Sequence, residues 1–453
     1  MSSGAGSVEH HSVVIIGGGP GGLGVAAVLA GWRPRLRNGF RRFENPDVQR
    51  IAEQNADDLM SADLHAVLKA GVRPIDFFRT QHHPRQGAVP LDERPLQFYR
   101  DGGLESLTTS GFESLTTGGA VDWLLLTLGL PGGLWNGVPR HQLTLSPAHW
   151  MELAPYPMLQ FAADSGRAIH PDALILKDDL VAYYHAAPGA LGLDGRIRVG
   201  VTVTCVRPPR DGEPGRFAIE TTEDGSPRTF TCDNGVFAVG PRSAARRLGV
   251  PGEDLPYVSH YYDHPDACPG GRVLVVGGGR SADWAATELH DAGRHVAYVM
   301  RQPVENHLRL IAESQHLPYY LRIAQIMQGS TGRFGLLYGS HVRRFLPGGV
   351  VEVASPEGEV TLRVDHVVVE IGADPDYSLL QGFPPLTFVP KRDNYRFQLM
   401  QVRVDQATFE SVDVPGLYVA GYLAEGTGLS VIGFHCGAYL IGADILRGVR
   451  GEE

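Results

Sequence analysis

The chain has 453 residues, 43% of them hydrophobic, and a formal net charge of −10 at pH 7. That length exceeds one ordinary core and allows two or three domains, while the acidic balance argues against nucleic acid or an anionic membrane as the main partner. Cys205, Cys232, Cys268 and Cys436 form no CxxC pair, so neither a disulfide framework nor a redox dithiol is expected.

Residues 1–11 are small and polar and lack the basic-then-apolar order of a signal peptide, which makes a cytoplasmic location the expectation. Val13-Val-Ile-Ile-Gly17-Gly-Gly19-Pro-Gly-Gly22 then joins an apolar β-branched run to a glycine turn and an alanine-rich helical pattern. A strand, turn and helix of this kind aim the first N–H groups of the helix at a pyrophosphate, and the third small residue lets the helix lie close to the sheet. Gly17, Gly19 and Gly22 are therefore candidate cofactor-binding residues. The next strand of such a fold normally ends in an acid that holds a ribose. Here the stretch 32–37 carries Arg33, Arg35 and Arg37 and no acid. It reads either as a solvated basic loop or as a site where the ribose is held from elsewhere or not at all. Residues 40–119 lack clear strand periodicity until their end and predict a helical and loop insertion. Within it Glu105-Ser-Leu-Thr-Thr109 recurs as Glu113-Ser-Leu-Thr-Thr117, two copies being too few for a repeat protein.

Residues 121–127 read as a strand. They are followed by Pro131-Gly-Gly-Leu-Trp135-Asn136, where Gly132 and Gly133 permit backbone approach to a flat ligand and Trp135 can cover a ring. Residues 196–206, 217–221 and 229–232 read as a meander leading to Val236-Phe-Ala-Val-Gly240. In the linker beyond it, His260 is either a packed residue or a catalyst.

A second glycine turn, Val273-Leu-Val-Val-Gly277-Gly-Gly279-Arg-Ser-Ala282, repeats the physics of the first, with Gly277, Gly279 and Ala282 as its small residues. Its next strand, 295–300, ends at Arg301, about 20 residues beyond Gly279, where a ribose-reading group is expected. A guanidinium there pairs with a 2′-phosphate in two parallel hydrogen bonds and favours NADPH over NADH. Arg280 reads as a pyrophosphate contact or as surface charge. Residues 305–328 read as helical, with Leu308, Ile311, Leu317 and Leu321 spaced for a buried face. The apolar stretch 429–446 is broken by Gly433, His435, Gly437, Gly442 and Asp444, and reads as a buried helix rather than a membrane span.

Two such turns predict an α/β chain of two Rossmann-like dinucleotide-binding domains. An FAD domain over 1–250 and 365–453 would carry an inserted NADPH domain over 251–364, with the helical and loop insertion at about 40–119.

Pro131-Gly-Gly-x-Trp135, Leu143-Thr-x-Ser146 and Trp150-Met-Glu-Leu153, with Lys391-Arg392-Asp393 and Gly416-Leu-Tyr418-Val-Ala-Gly421, resemble the oxidative stress induced growth inhibitor family over nearly the whole chain. That family is in turn similar to flavin-containing and N-hydroxylating monooxygenases. The resemblance implies flavin contacts from Gly132, Gly133 and Trp135, with structural roles for Trp135 and Trp150 as the alternative. It also implies a backbone contact at Gly421, where Tyr422 replaces the usual acid. Residues 365–375 resemble a segment linking the two domains of such flavoproteins, with Glu370 where alanine is usual. The Baeyer–Villiger pattern is not met, because Asp254 and Pro256 stand where it needs Phe and Gly before His260.

With no dithiol to take electrons, molecular oxygen is the expected acceptor. The resemblance then implies a peroxyflavin that hydroxylates an N, S or electron-rich C centre of a small-molecule substrate. Asn136 is the candidate catalytic donor beside the reacting oxygen, ahead of Gln142 and Ser146, and no metal is implied. An NADPH-dependent flavin oxidase or reductase without oxygenation, and a non-catalytic nucleotide-sensing regulator, are the alternatives. Nothing in the sequence speaks to oligomeric state.

Overall fold

The computed structural model describes residues 8–37, 43–79, 94, 96–100, 121–241, 244–329, 332–392, 398–427 and 431–450. The duplicated segments at 105–109 and 113–117, Asp393 and much of the expected insertion lie outside the described residues. Where described, the insertion forms the short helices Pro46–Gln54, Leu64–Lys69 and Pro74–Phe77. The fold is α/β, as the two glycine turns require, and divides into two compact units. One comprises Met1–Gly137, Ser146–Pro241 and Pro375–Glu453; the other comprises Val138–Leu145 and Arg242–Asp374.

In the first unit, the strand Glu9–Ile16 lies parallel to Trp123–Thr127 on one side and to Ser226–Phe237 on the other. The apolar run Val13 to Ile16 is buried there, as parallel strands covered on both faces must be. Ser226–Phe237 changes role along its length. Its start pairs antiparallel with Phe217–Glu223, and its end pairs parallel with Leu417–Val419. The helix Pro20–Leu29 follows the first glycine turn and is buried at every residue. It packs against the C-terminal helix Val431–Arg450 through glycine, since a Cβ at Gly442 would stand 2.2 Å from Val28 Cγ1.

The basic stretch after that helix is not a solvated loop. Trp32–Leu36 is a strand paired antiparallel with Leu96–Arg100. Arg33 is buried, and its Nη1 donates to Val28 O at 2.7 Å and to Trp32 O at 3.1 Å. The last carbonyls of a helix lack intrahelical partners and carry partial negative charge, which the guanidinium answers at Val28 O.

In the second unit, five parallel strands run in the order Val258–Ser259, His366–Glu370, Arg272–Gly277, His295–Val299 and Phe334–Leu337. The helix Arg280–Asp291 follows the second glycine turn. A meander of His341–Leu346, Val350–Ser355 and Gly358–Arg363 accompanies them. The helical stretch expected over 305–328 is two helices, Val304–Glu313 and Pro318–Gln328. Ile311 and Leu317 are buried as expected, but Leu308 and Leu321 are 49% and 47% exposed. Pro318 starts a new helix and resets the phase at Leu321, while Leu308 lies one position past His307, which with Ile311 faces inward in the helix before it. The inward positions carry His307, Tyr319 and Tyr320 as well as Ile323 and Ile326.

Among the described residues, no helix is long and apolar enough to cross a membrane.

Candidate functional site

The first glycine turn contains two kinds of glycine. Gly17 has φ +118°, and a Cβ on it would meet Ala238 O at 2.3 Å; one on Gly22 would stand 2.0 Å from Gly17 O. The protein's own packing demands both. Gly19 differs: its φ is −78°, and a Cβ there would meet nothing nearer than Gly133 Cα at 3.8 Å. It is the N-cap of Pro20–Leu29 and offers no side-chain cap to the first N–H groups of that helix.

Two further glycine segments close on this turn. Gly132, at φ +117°, donates its N–H to Gly18 O at 2.8 Å, and a Cβ on Gly133 would stand 2.8 Å from Gly19 Cα. A Cβ on Gly21 would meet Gly421 Cα at 2.9 Å, and Gly421 itself has φ +71°. Gly17, Gly19, Gly22, Gly132, Gly133 and Gly421 are thus brought together backbone to backbone around one helix N-terminus. Trp135 follows in the short turn Gly133–Gly137 and packs half-buried on the unit's core. Trp150 lies elsewhere, edge-on to the buried His149.

Asn136 is tied into its own loop. Its Nδ2 donates to Leu130 O at 2.7 Å and lies 3.4 Å from Pro131 O, while its Oδ1 pairs with His185 Nε2 at 2.9 Å. Burial lowers the His185 pKa, which favours the neutral ring as donor. The amide faces its own loop's carbonyls and holds the loop's shape. No acid stands at Tyr422, whose ring lies edge-on to Phe434 at 6.3 Å. The turn there is held instead by Gln401, a residue the sequence did not flag, whose buried Nε2 donates to Tyr422 O at 2.7 Å and Ala424 O at 2.8 Å.

At the second glycine turn, a Cβ on Gly277 would meet both Ala282 Cβ and Glu370 O at 2.5 Å. Gly279 is an N-cap with no side-chain cap, and Ala282 is fully buried behind it. Gln302 Nε2 donates to Gly278 O at 2.7 Å, tying the turn to the end of the neighbouring strand. Arg301 stands beside Gln302, exposed and without a hydrogen bond or ion pair among the described residues. Arg280 is neither loose surface charge nor aimed at the turn alone: its guanidinium lies 5.3 Å from the centre of the Tyr320 ring and hydrogen-bonds Tyr319. Glu370 is explained by the linker, since its Oε1 accepts from Tyr262 N at 3.0 Å. His260 packs in the same linker, its Nε2 3.6 Å from Glu253 Oε1.

All four cysteines are buried, and none is in a disulfide. Burial pushes the Cys232 thiol up to about 12 and Cys268 up to about 11, far from a reactive thiolate.

Comparison with known proteins identifies the fold and the family. Mouse (Mus musculus) oxidative stress-induced growth inhibitor 1 is 26% identical over 474 residues, covering 93% of each chain. The bacillithiol disulfide reductase from Staphylococcus aureus superposes with a TM-score of 0.64 at 17% identity, over 97% of this chain and 99% of its own. The ornithine N-hydroxylase of Kutzneria sp. 744, solved with reduced FAD, NADP⁺ and L-ornithine, superposes with a TM-score of 0.60 at 16% identity, over 97% and 99%. The resemblance read from the residues therefore extends to named homologues and to an N-hydroxylating monooxygenase neighbour. The two-unit Rossmann-like fold is theirs, and the expected pair of FAD and NADPH agrees with it. The profile of the pyridine nucleotide-disulphide oxidoreductases matches residues 133–421, well over half of the sequence, and the chain belongs to that family.

Proposed function

We propose that this oxidoreductase is an FAD- and NADPH-dependent monooxygenase that uses molecular oxygen to hydroxylate a nitrogen, sulfur or electron-rich carbon of a small-molecule substrate. The observation that carries the reading is the pairing of two glycine turns, whose N-cap residues Gly19 and Gly279 make no side-chain cap, with four buried cysteines, none in a disulfide. A relay to disulfides needs an accessible thiol, and this chain presents none, so electrons taken from a pyridine nucleotide pass to a diffusible acceptor.

The first turn fits FAD on steric grounds: a Cβ on Gly19 would meet nothing nearer than 3.8 Å, while Gly17, Gly21 and Gly22 are closed by backbone and Gly18 by the Thr127 side chain. In this reading Gly19 and the adjoining N–H groups hold the pyrophosphate, Gly132, Gly133 and Gly421 let backbone approach, and Trp135 walls the ring. In the same reading Gly277, Gly279 and Ala282 hold the NADPH pyrophosphate, Arg280 adds a phosphate contact, and Arg301 reads the 2′-phosphate. The FAD-binding part is assigned to 1–250 and 365–453 and the NADPH-binding part to 251–364. When bound, FAD supplies hydride acceptance and the reaction with oxygen; the protein supplies position and exclusion of water.

The test is a visible-absorbance titration of FAD-supplemented protein with NADPH under anaerobic conditions, followed by air and a panel of amines, thioethers and phenols. Bleaching, with a compound that raises NADPH oxidation while suppressing hydrogen peroxide release, supports the monooxygenase. Hydrogen peroxide equal to NADPH consumed with every compound would point instead to an oxidase. A bound flavin that never bleaches overturns the enzyme reading and leaves nucleotide sensing.

A further inference from the structure

The second unit contains a fully buried carboxylate that no sequence motif singles out. Asp283 lies in the first turn of the helix Arg280–Asp291. Its Oδ1 accepts from Tyr298 Oη at 2.8 Å and pairs with His307 Nε2 at 2.8 Å, and its Oδ2 accepts from Tyr320 Oη at 3.0 Å. His307, also fully buried, reaches Tyr338 Oη through Nδ1 at 2.9 Å. Burial first, and the Asp283 charge after it, raise the Tyr298 and Tyr320 phenols well above their ordinary range, so both remain protonated donors.

A buried network of this kind gains little net stability, because desolvation offsets attraction. What it does supply is a single geometry for the elements that meet on it, and here two arms do. One arm is Tyr320, whose ring face seats the Arg280 guanidinium. A phenol donating to a carboxylate has a more electron-rich ring and holds a cation better. The other arm runs through His307 to Tyr338, in the turn that fixes the Arg301 segment. Ser340 N donates to Met300 O at 3.0 Å, Gly339 N to Gln302 O at 3.2 Å, and Met300 N to Leu337 O at 3.0 Å. Gln302 in turn holds the glycine turn through Gly278 O.

We infer that Asp283 is a positioning residue for the nucleotide's 2′-phosphate, locking the Arg280 and Arg301 segments so that both guanidiniums serve one anion. The inference rests on the NADPH assignment of the second glycine turn. Its readout is binding rather than turnover: NADP⁺ and NAD⁺ affinities by isothermal titration calorimetry on the FAD-loaded protein, with circular dichroism as the folding control. Arg280→Ala and Arg301→Ala should each weaken NADP⁺ about tenfold or more, the scale of a charge-assisted hydrogen bond, and leave NAD⁺ within about twofold. Asp283→Asn and Tyr320→Phe should weaken NADP⁺ roughly three- to tenfold with NAD⁺ again little changed, and Tyr320→Phe combined with Arg280→Ala should lose no more than Arg280→Ala alone. Should Asp283→Asn fail to fold, Tyr320→Phe keeps the ring and carries the test.

Equal effects on both nucleotides, or none on either, in folded Tyr320→Phe would overturn the positioning role. Wild-type protein that binds NADP⁺ no better than NAD⁺ would overturn the NADPH assignment itself, a result visible before any Asp283 variant is made.

Discussion

The glycines of the first turn separate folding from binding. Gly17 and Gly22 face the protein's own carbonyls, so any side chain there must break the turn. Gly19 has ordinary φ, and a Cβ there would make only an ordinary contact with Gly133 Cα, at 3.8 Å, so the protein's own packing does not demand glycine at that position. Gly19→Val is therefore expected to fold with an unchanged melting temperature and to purify without flavin; a variant that stays fully yellow would remove the pyrophosphate from this turn. Arg301→Ala should lose about 1.5–3 kcal/mol of NADPH binding, with little effect on NADH, as one charged hydrogen bond is removed; equal losses measured for both would place the 2′-phosphate elsewhere. Gly17 and Gly22 were legible in the sequence because positive φ at the one and close backbone approach at both leave glycine alone, and the place of Arg301 because a strand's end fixes it. Arg33 and Asn136 were not legible. Their partners, Val28 O and Leu130 O, are backbone atoms that only the folded chain brings within reach.

Among the elements, the two helices Pro20–Leu29 and Val431–Arg450 owe their close approach to small residues. Gly442→Ala would press a methyl group into Val28, and overpacking of that kind costs about 1–3 kcal/mol. Urea unfolding should show a lower midpoint at unchanged slope, whereas an unaltered midpoint would mean that the helices can separate freely. The C-terminal helix was readable from its composition. The helices at 304–313 and 318–328 were readable as helices but not in their facing, because apolar spacing alone pointed to Leu308 and Leu321. The inward positions are taken by His307 and Tyr320, polar groups that burial tolerates only because Asp283 answers them. Nothing in a linear pattern announces that answer.

For the molecule as a whole, acid should act early. His435 on the C-terminal helix is fully buried, and burial lowers its pKa to about 3 from 6.5. Below pH 6.5 the unfolded chain takes up a proton that the folded chain refuses, so stability falls as pH drops from 6.5 toward 3. Glu213 adds a second limb in the same direction: hydrogen bonds from Arg207 and from Arg210 N hold it at about 2 against 4.5, and its contribution, present above 4.5, is lost toward 2. Replacing the imidazole by an apolar side chain of similar size, His435→Leu, should flatten the stability profile between pH 6.5 and 4.5 by up to about 1.4 kcal/mol per pH unit. An identical slope in chemical denaturation at the two pH values would show that the ring is already protonated or solvated. The order of strands carries a further consequence, for biosynthesis. Ser226–Phe237 waits for Leu417–Val419, and the wholly buried helix Pro20–Leu29 waits for Val431–Arg450. The nested unit needs only 138–145, already made, and 242–374. On the ribosome the strand and helix of the first glycine turn, made before the nested unit, are thus covered after it. Nascent chains released before residue 431 will expose the apolar helix beside the first glycine turn and depend on chaperones for solubility.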